Sequence, residues 1–129
     1  MSSAVLLSIK PEFALAIFSG EKRFEFRKTI YRDHSVSKVY VYASAPISKV
    51  IGEFQVEEVI EQHPKVLWQK TSHGAGITEE YFNEYFAGRE IGYALKVTDV
   101  ARFEESQDLE PMFGIRHPPQ SFRYVSMHA

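Results

Sequence analysis

Hydrophobic and polar positions divide the start of the chain into a strand and a helix. Val5–Ile9 is a short apolar run with β-branched residues at both ends, which predicts a buried strand. Glu12–Ser19 is apolar on nearly every side, which is typical of a helix buried on most sides. Pro11 suits the first turn of that helix, and Gly20 suits the left-handed position after its last turn.

Strand patterns recur further along the chain. Alternation or a high content of β-branched and aromatic residues predicts strands at 23–27, 39–42, 50–60 and 93–100, with a last short one at 122–125. In the strand at 50–60, Phe54 and Val56 lie on one face by alternation, whereas Val59 would lie on the opposite face, after Glu57 and Glu58. A β-bulge at these two glutamates would absorb the slip and bend the strand.

Helical patterns fill the long gap between the middle strands. Residues 65–70 predict a short helix, and 72–76 a flexible loop. Thr78 is a good N-cap for a further helix that Gly88 ends. An apolar stripe at helical spacing predicts core packing along that helix: Tyr81, Phe82, Tyr85 and Phe86. Residues 110–124 are rich in proline and predict an ordered loop ahead of the last strand.

The order of elements is then β-α-β-β-β-α-α-β-β. Strands outnumber helices, and the regular alternation of a doubly wound sheet is absent. This order predicts an α+β fold, a small mixed β-barrel flanked by helices, as a single domain over residues 1–129.

Composition limits the class of protein. The 129 residues are 44% hydrophobic and 25% charged, which is ordinary for a globular domain. Cysteine is absent, so disulfide and thiolate chemistry are excluded. No stretch reaches the roughly 18 apolar residues of a membrane span, and the first residues lack the basic segment of a signal peptide. These features predict a cytoplasmic protein that does not contact membranes.

Charge is distributed unevenly around a net value of −2. Residues 1–50 hold 8 Lys or Arg against 4 Asp or Glu, and residues 51–129 hold 7 against 13. A basic first half can concentrate positive potential on one surface. Folding that mixes the two halves would remove the asymmetry, and the sequence leaves both outcomes open.

The stretch SGEKRFEFRK, residues 19–28, carries the strongest candidate chemistry. Alternation places Phe24 and Phe26 on the core face of a strand, and Arg23, Glu25 and Arg27 on the other face. In one interpretation the polar face forms surface ion pairs worth less than about 1 kcal/mol. In the other, Glu25 orients Arg27 and Lys22 toward a bound anion or base.

The same stretch resembles a family signature. Gly20, Lys22, Glu25 and Arg27 match G-x-K-x-x-E-x-R, the signature of the ASCH domain, a PUA-like barrel, and L-L-S-I-K-P before the helix fits that setting. The strands at 39–43 and 51–59 and the closing P-Q-S-F-R-Y are similar to the longer bacterial type. The resemblance covers essentially the whole chain. It implies a cleft beside the first helix, lined by Lys22, Glu25 and Arg27.

Other polar and aromatic residues are candidates for the same cleft. Lys10 precedes the helix and is expected to point into it. Tyr42 is a candidate for stacking on a nucleotide, with half-buried packing within its strand as the alternative. Charge and placement, rather than the signature, predict that Arg116, Ser121 and Tyr124 form the opposite wall.

The resemblance implies two functions that the residues leave open. One is binding of RNA or a nucleotide-like small molecule, such as a modified nucleoside, with a role as a transcriptional regulator. The alternative is hydrolysis of N4-acetylcytidine or RNA, with Lys22 and Glu25 as catalytic residues. Glu25 occupies the position of the catalytic threonine in the N4-acetylcytidine amidohydrolases, which weakens the prediction of that activity. The candidates for the second catalytic glutamate of those enzymes are Glu53, Glu57 and Glu58.

No cofactor is expected. The five histidines show no ligand spacing on one element, so no metal site is predicted. The sequence leaves the oligomeric state open.

Overall fold

The computed structural model describes residues 3–126, so the predicted domain bounds extend beyond it at both ends. It contains six strands, which are β1 (Ala4–Ile9), β2 (Phe24–Arg27), β3 (Lys38–Ala43), β4 (Lys49–Gln62), β5 (Gly92–Gln107) and β6 (Phe122–Val125). Its α-helices are α1 (Pro11–Ser19), α2 (Pro64–Thr71), α3 (Glu79–Tyr85) and α4 (Leu109–Phe113), and a 3₁₀ turn, Ser72–Gly74, follows α2.

All six strands belong to one mixed sheet with the order β2-β5-β4-β3-β1-β6. β1 runs parallel to β3, and every other pairing is antiparallel. The α+β class is confirmed. The closed barrel is not, because β2 and β6 lie at opposite ends of the sheet without pairing in residues 3–126.

The gap between β2 and the β1–β6 edge of the sheet, which we call the seam, is bridged by side chains and not by backbone pairing. Arg27, the last residue of β2, donates from Nη2 to the Ser8 carbonyl of β1 at 2.8 Å. Its Nη1 donates to Ser121 Oγ, next to β6, at 3.4 Å. The sheet therefore curls far enough for one long side chain to span the gap between β2 and β6, although these two strands do not pair.

Bulges bend the long central strands. The register between β4 and β5 shifts between Val56 and Glu58, so the bulge predicted at Glu57 and Glu58 is confirmed. Further shifts occur earlier in the same pair, where β5 passes through a left-handed residue, Asp99, with φ 48°. β5 therefore continues to Gln107, well past the predicted end at residue 100.

Helices cover both faces of the curled sheet. Ala14 and Ile17 of α1 are buried against β1, β3 and β5. On the other face α4 packs Leu109, Met112 and Phe113 against residues of β1, β3 and β4. α2 and α3 cover the apolar side of β2, where Phe24 and Phe26 are buried as predicted.

Two sequence expectations are wrong in part. The segment predicted as a loop from residue 110 begins inside α4, a five-residue helix that contains Pro111. Only half of the apolar stripe predicted along α3 packs in the core. Phe82 and Phe86 are buried, whereas Tyr81 and Tyr85 are half-buried and face a cleft. None of the helices described is long and apolar enough to cross a membrane.

Candidate functional site

The motif lies where α1 turns into β2. Gly20 ends α1 with φ 87°, a left-handed conformation that glycine adopts without steric cost. The Lys22 amide then donates back to the Ala16 carbonyl at 3.0 Å. This tight turn keeps Lys22 against the helix and starts β2 directly beneath it.

A cleft of about 310 Å³ opens between α1, β2, α3 and the end of β1. That volume is at the lower end of the range of small-molecule sites, roughly 300–1,000 Å³. The signature residues Lys22, Glu25 and Arg27 all line it. The structure therefore places these predicted residues in one pocket.

Glu25 and Arg27 form a buried ion pair in this cleft. Arg27 Nε lies 3.2 Å from Glu25 Oε2, at an angle too poor for a hydrogen bond. Glu25 is 6% exposed and Arg27 9%. The interpretation as a solvated strand face is wrong for Glu25 and Arg27, because α1 and the chain around Ser8 and Ser121 cover this side of β2. Arg23, which precedes β2, is exposed.

Lys22 is more deeply buried still, at 2% exposure. Its Nζ donates to the Ala75 carbonyl at 2.9 Å and lies 4.6 Å from the centre of the Phe26 ring. Burial lowers the pKa of Lys22 below its usual 10.5, and the Arg27 charge lowers it further. The Glu25 carboxylate acts in the opposite direction and raises that pKa.

Aromatic rings form the walls and cations the rim. Tyr81 and Tyr85 of α3 line the cleft together with Phe13 and Phe26. Lys10 donates to the Tyr81 hydroxyl at 3.4 Å, which places this predicted residue at the cleft. Lys28 Nζ lies 4.8 Å from the centre of the Tyr85 ring. Both lysines are exposed, but only Lys10 lines the cleft, whereas Lys28 contacts it through Tyr85.

The other predicted residues lie elsewhere, except Ser121, which contacts Arg27 at the seam. Tyr42 is buried beneath α4 and borders a separate polar hollow. Arg116 borders the same hollow, where its Nε lies 3.8 Å from Glu110 Oε2. Tyr124 is 43% exposed, and its hydroxyl accepts from the Asp33 amide at 2.9 Å. The expectation that Arg116 and Tyr124 form the opposite wall is therefore wrong, because α4 and the course of β6 turn them away.

Gln120, Ser8 and Ser44 occupy that wall. Sequence reasoning missed all three, together with the two tyrosines of α3. Ser8 alone carried a signal, since it is polar within an apolar strand. Its hydroxyl donates to the Pro119 carbonyl at 2.6 Å and ties β1 to the segment before β6.

The candidate partner glutamates are not in the cleft. They lie on β4, which β5 separates from β2. Glu53 pairs with Lys38 at 3.2 Å, and Glu57 with Lys96 at 2.8 Å. Glu58 pairs in register with Lys96 on β5. Within residues 3–126 no group of three or more His, Asp or Glu side chains could hold a metal ion.

Comparison with known proteins finds relatives that share this fold. An ASCH domain-containing ribonuclease of Zymomonas mobilis is 29% identical over 125 residues, covering 93% of this chain and 82% of that protein. The crystal structure of ASCH from Zymomonas mobilis superposes with a TM-score of 0.87 at 29% identity, over 95% of this chain and 87% of that one.

A third similarity covers a smaller share of its relative. The large ribosomal subunit protein uL22 of Ureaplasma parvum is 27% identical over 125 residues, which are 96% of this chain but only 40% of that protein. The family model of the ASCH domain matches residues 7–114. That match spans most of the chain and includes the Lys22, Glu25 and Arg27 cleft, so the protein belongs to the ASCH domain family.

Proposed function

We propose that the protein binds RNA and holds one base, or a modified nucleoside, in the cleft. The observation that carries this proposal is a buried lysine, glutamate and arginine at the floor of a pocket with aromatic walls. Single-stranded RNA is recognised mainly by splayed bases that stack on aromatic rings and form hydrogen bonds along their edges.

The floor of the cleft fits a base better than a phosphate. All three nitrogens of the Arg27 guanidinium face protein oxygens, on Glu25, Ser8 and Ser121. Its fork is therefore not free to clamp a phosphate, and the Glu25 carboxylate would repel one. A base edge carries both donors and acceptors, which complement the Glu25 carboxylate and the Lys22 ammonium.

Phosphates fit the rim. Lys10 and Lys28 are exposed and lie against the rings of Tyr81 and Tyr85, which are walls of the cleft. A strand with its base in the cleft would pass these charges with its backbone. The proposal includes a cytoplasmic location and a regulatory role that acts through the bound RNA.

A second candidate is hydrolysis of the bound RNA or of N4-acetylcytidine. The relative from Zymomonas mobilis, named a ribonuclease, supports turnover of RNA. A buried lysine of lowered pKa beside a carboxylate is an arrangement suited to proton transfer. The absence of Glu53, Glu57 and Glu58 from the cleft argues against the amidohydrolase arrangement.

Binding is tested by fluorescence anisotropy with a labelled single-stranded RNA hexamer. Lys22→Met removes the ammonium but keeps the stem, and it is expected to weaken binding at least tenfold. Lys70→Met makes the same change at an exposed position of α2 and should bind like the wild type. Equal affinity in all three proteins would refute the proposed site.

Turnover is tested by incubating the protein with RNA hexamers and, separately, with N4-acetylcytidine, followed by chromatography. General acid–base catalysis typically contributes about 10²–10⁴-fold, so Lys22→Met should reduce any turnover by that factor. Products that form equally fast with Lys22→Met would exclude a catalytic lysine. Binding without products would support the first candidate alone.

A further inference from the structure

Three successive backbone carbonyls converge on the Lys22–Arg23 pair. The His73 carbonyl accepts from Arg23 Nη2 at 3.3 Å, and the Gly74 carbonyl from the Arg23 amide at 2.8 Å. The Ala75 carbonyl accepts from Lys22 Nζ at 2.9 Å. We call residues 73–75 the carbonyl loop.

The carbonyl loop is held at both ends. On its N-terminal side, Thr71 is fully buried and its hydroxyl donates to the Leu67 carbonyl at 2.7 Å, which fixes the end of α2. On its C-terminal side, Ile77 lines the cleft and Thr78 caps α3. The segment 72–76, for which the sequence predicts a loop, therefore begins as a 3₁₀ turn and is hydrogen-bonded along residues 73–75.

Glycine is required where the loop meets Lys22. A Cβ on Gly76 would lie 2.5 Å from Lys22 Cβ and 2.8 Å from Lys22 Cα, atoms that cannot move without shifting the backbone. A Cβ on Gly74 would meet Arg23 Nε at 2.8 Å, at the flexible end of a side chain. Gly76 thus controls how closely the loop approaches the lysine.

We propose that the carbonyl loop positions the Lys22 ammonium in the cleft, with Gly76 as the positioning residue that allows the close approach. The Ala75 carbonyl occupies one of the three ammonium donors and fixes the direction of the other two. Lys22 then contacts an acceptor on the bound base at a set angle, which makes the loop a determinant of ligand recognition. This inference rests on the proposed function for its consequence, but not for the geometry.

Gly76→Ala tests the inference, with Gly88→Ala as a matched control. Both glycines have positive φ, 66° and 78°, so both variants carry backbone strain. Nothing lies within 4 Å of a Cβ on Gly88. Only Gly76→Ala is therefore expected to disturb Lys22.

The first readout is the rate at which an acylating reagent modifies Lys22, relative to the exposed Lys70 in the same molecule, measured by peptide mass spectrometry. Lys22 should be protected in the wild type and in Gly88→Ala, and should react at least tenfold faster in Gly76→Ala. Gly88→Ala carries similar backbone strain, so exposure of Lys22 through a general loss of stability would appear in that variant as well. Equal protection in the two alanine variants would overturn the inference.

The second readout is affinity for the labelled RNA hexamer, which should fall about tenfold in Gly76→Ala and stay unchanged in Gly88→Ala. If Lys22 becomes reactive while affinity is unchanged, the positioning role stands and the proposed contact between Lys22 and RNA fails. Should Gly76→Ala not fold, Gly74→Ala replaces it as the test, because its Cβ would lie 2.8 Å from Arg23 Nε and 3.1 Å from Arg23 Cβ and so push the carbonyl loop away from the Lys22–Arg23 pair. The acylation rate of Lys22 should then rise two- to threefold, and an unchanged rate would overturn the inference.

Discussion

Glu25→Gln removes the charge of the buried ion pair while keeping the shape of the side chain. Two unit charges 3.2 Å apart attract by about 5 kcal/mol at an effective dielectric constant of 20. Desolvation offsets part of that attraction, and removing one partner of a buried pair costs about 3–5 kcal/mol in known cases. Glutamine keeps one carbonyl acceptor near Arg27, so we expect a loss of about 3 kcal/mol in the free energy of unfolding.

Urea unfolding followed by the fluorescence of Trp68, the only tryptophan, measures this loss. For small proteins the free energy falls by about 1–3 kcal/mol per molar urea, so the midpoint should drop by at least about 1 M. Glu105→Gln makes the same change at an exposed position of β5 and should stay within about 0.5 kcal/mol of the wild type.

A double variant separates a buried pair from a general disruption of β2. Glu25→Gln with Arg27→Met removes both charges, so no unpaired charge stays buried, but it also removes the hydrogen bonds from Arg27 to Ser8 and Ser121. The double variant should therefore recover part of the loss and remain less stable than the wild type. If Glu25→Gln lowered the free energy of unfolding no more than Glu105→Gln does, the account would be refuted. Such a result would mean that the Glu25–Arg27 pair contributes no more than a solvent-exposed ion pair.

Further predictions concern pH, salt and packing. Because the pKa of Lys22 is lowered on folding, the unfolded chain binds more protons, and the free energy of unfolding should rise with pH between that lowered pKa and about 10.5. Urea unfolding of the wild type and of Lys22→Met at several pH values isolates this rise. Parallel plots of unfolding free energy against pH for the two proteins would contradict it. Lys10→Ala and Lys28→Ala should each reduce the slope of log affinity for RNA against log salt concentration by about 0.7. An unchanged slope in anisotropy titrations would show that these lysines do not contact the RNA phosphates. Phe82 is fully buried against Trp68 and Phe26, so Phe82→Ala should lower the free energy of unfolding by about 3–5 kcal/mol in the same urea assay. A loss below about 1 kcal/mol would contradict this packing.

Features that depend on close neighbours in the chain were predictable. The left-handed Gly20, the bulge after Val56 and the N-cap Thr78 each follow from residues within a few positions. α4 was not predictable, because five residues with Pro111 among them are too few to show a hydrophobic period. The extension of β5 depends on pairing with β4 across Asp99, which no local pattern reports.

The site was predictable in its chemistry but not in its burial. Alternation separates Glu25 and Arg27 from the phenylalanines, but it cannot show whether a polar face is wet or covered. The covering contacts are distant in sequence: Ser8 lies 19 residues from Arg27, and Ser121 lies 94 away. Lys22 likewise depends on Ala75, 53 residues further along the chain. The prediction for Tyr124 and Arg116 is wrong for the same reason, since the sheet order and the packing of α4, which no local pattern reports, decide where these residues lie.

The most direct test of the cleft is a titration of ¹⁵N-labelled protein with the RNA hexamer, followed by two-dimensional NMR. The account predicts that the largest amide shifts cluster at Ser8, Lys22, Glu25 and Ala75, around the cleft. Shifts confined to the hollow at Arg116, with the amides of the cleft unchanged, would contradict it.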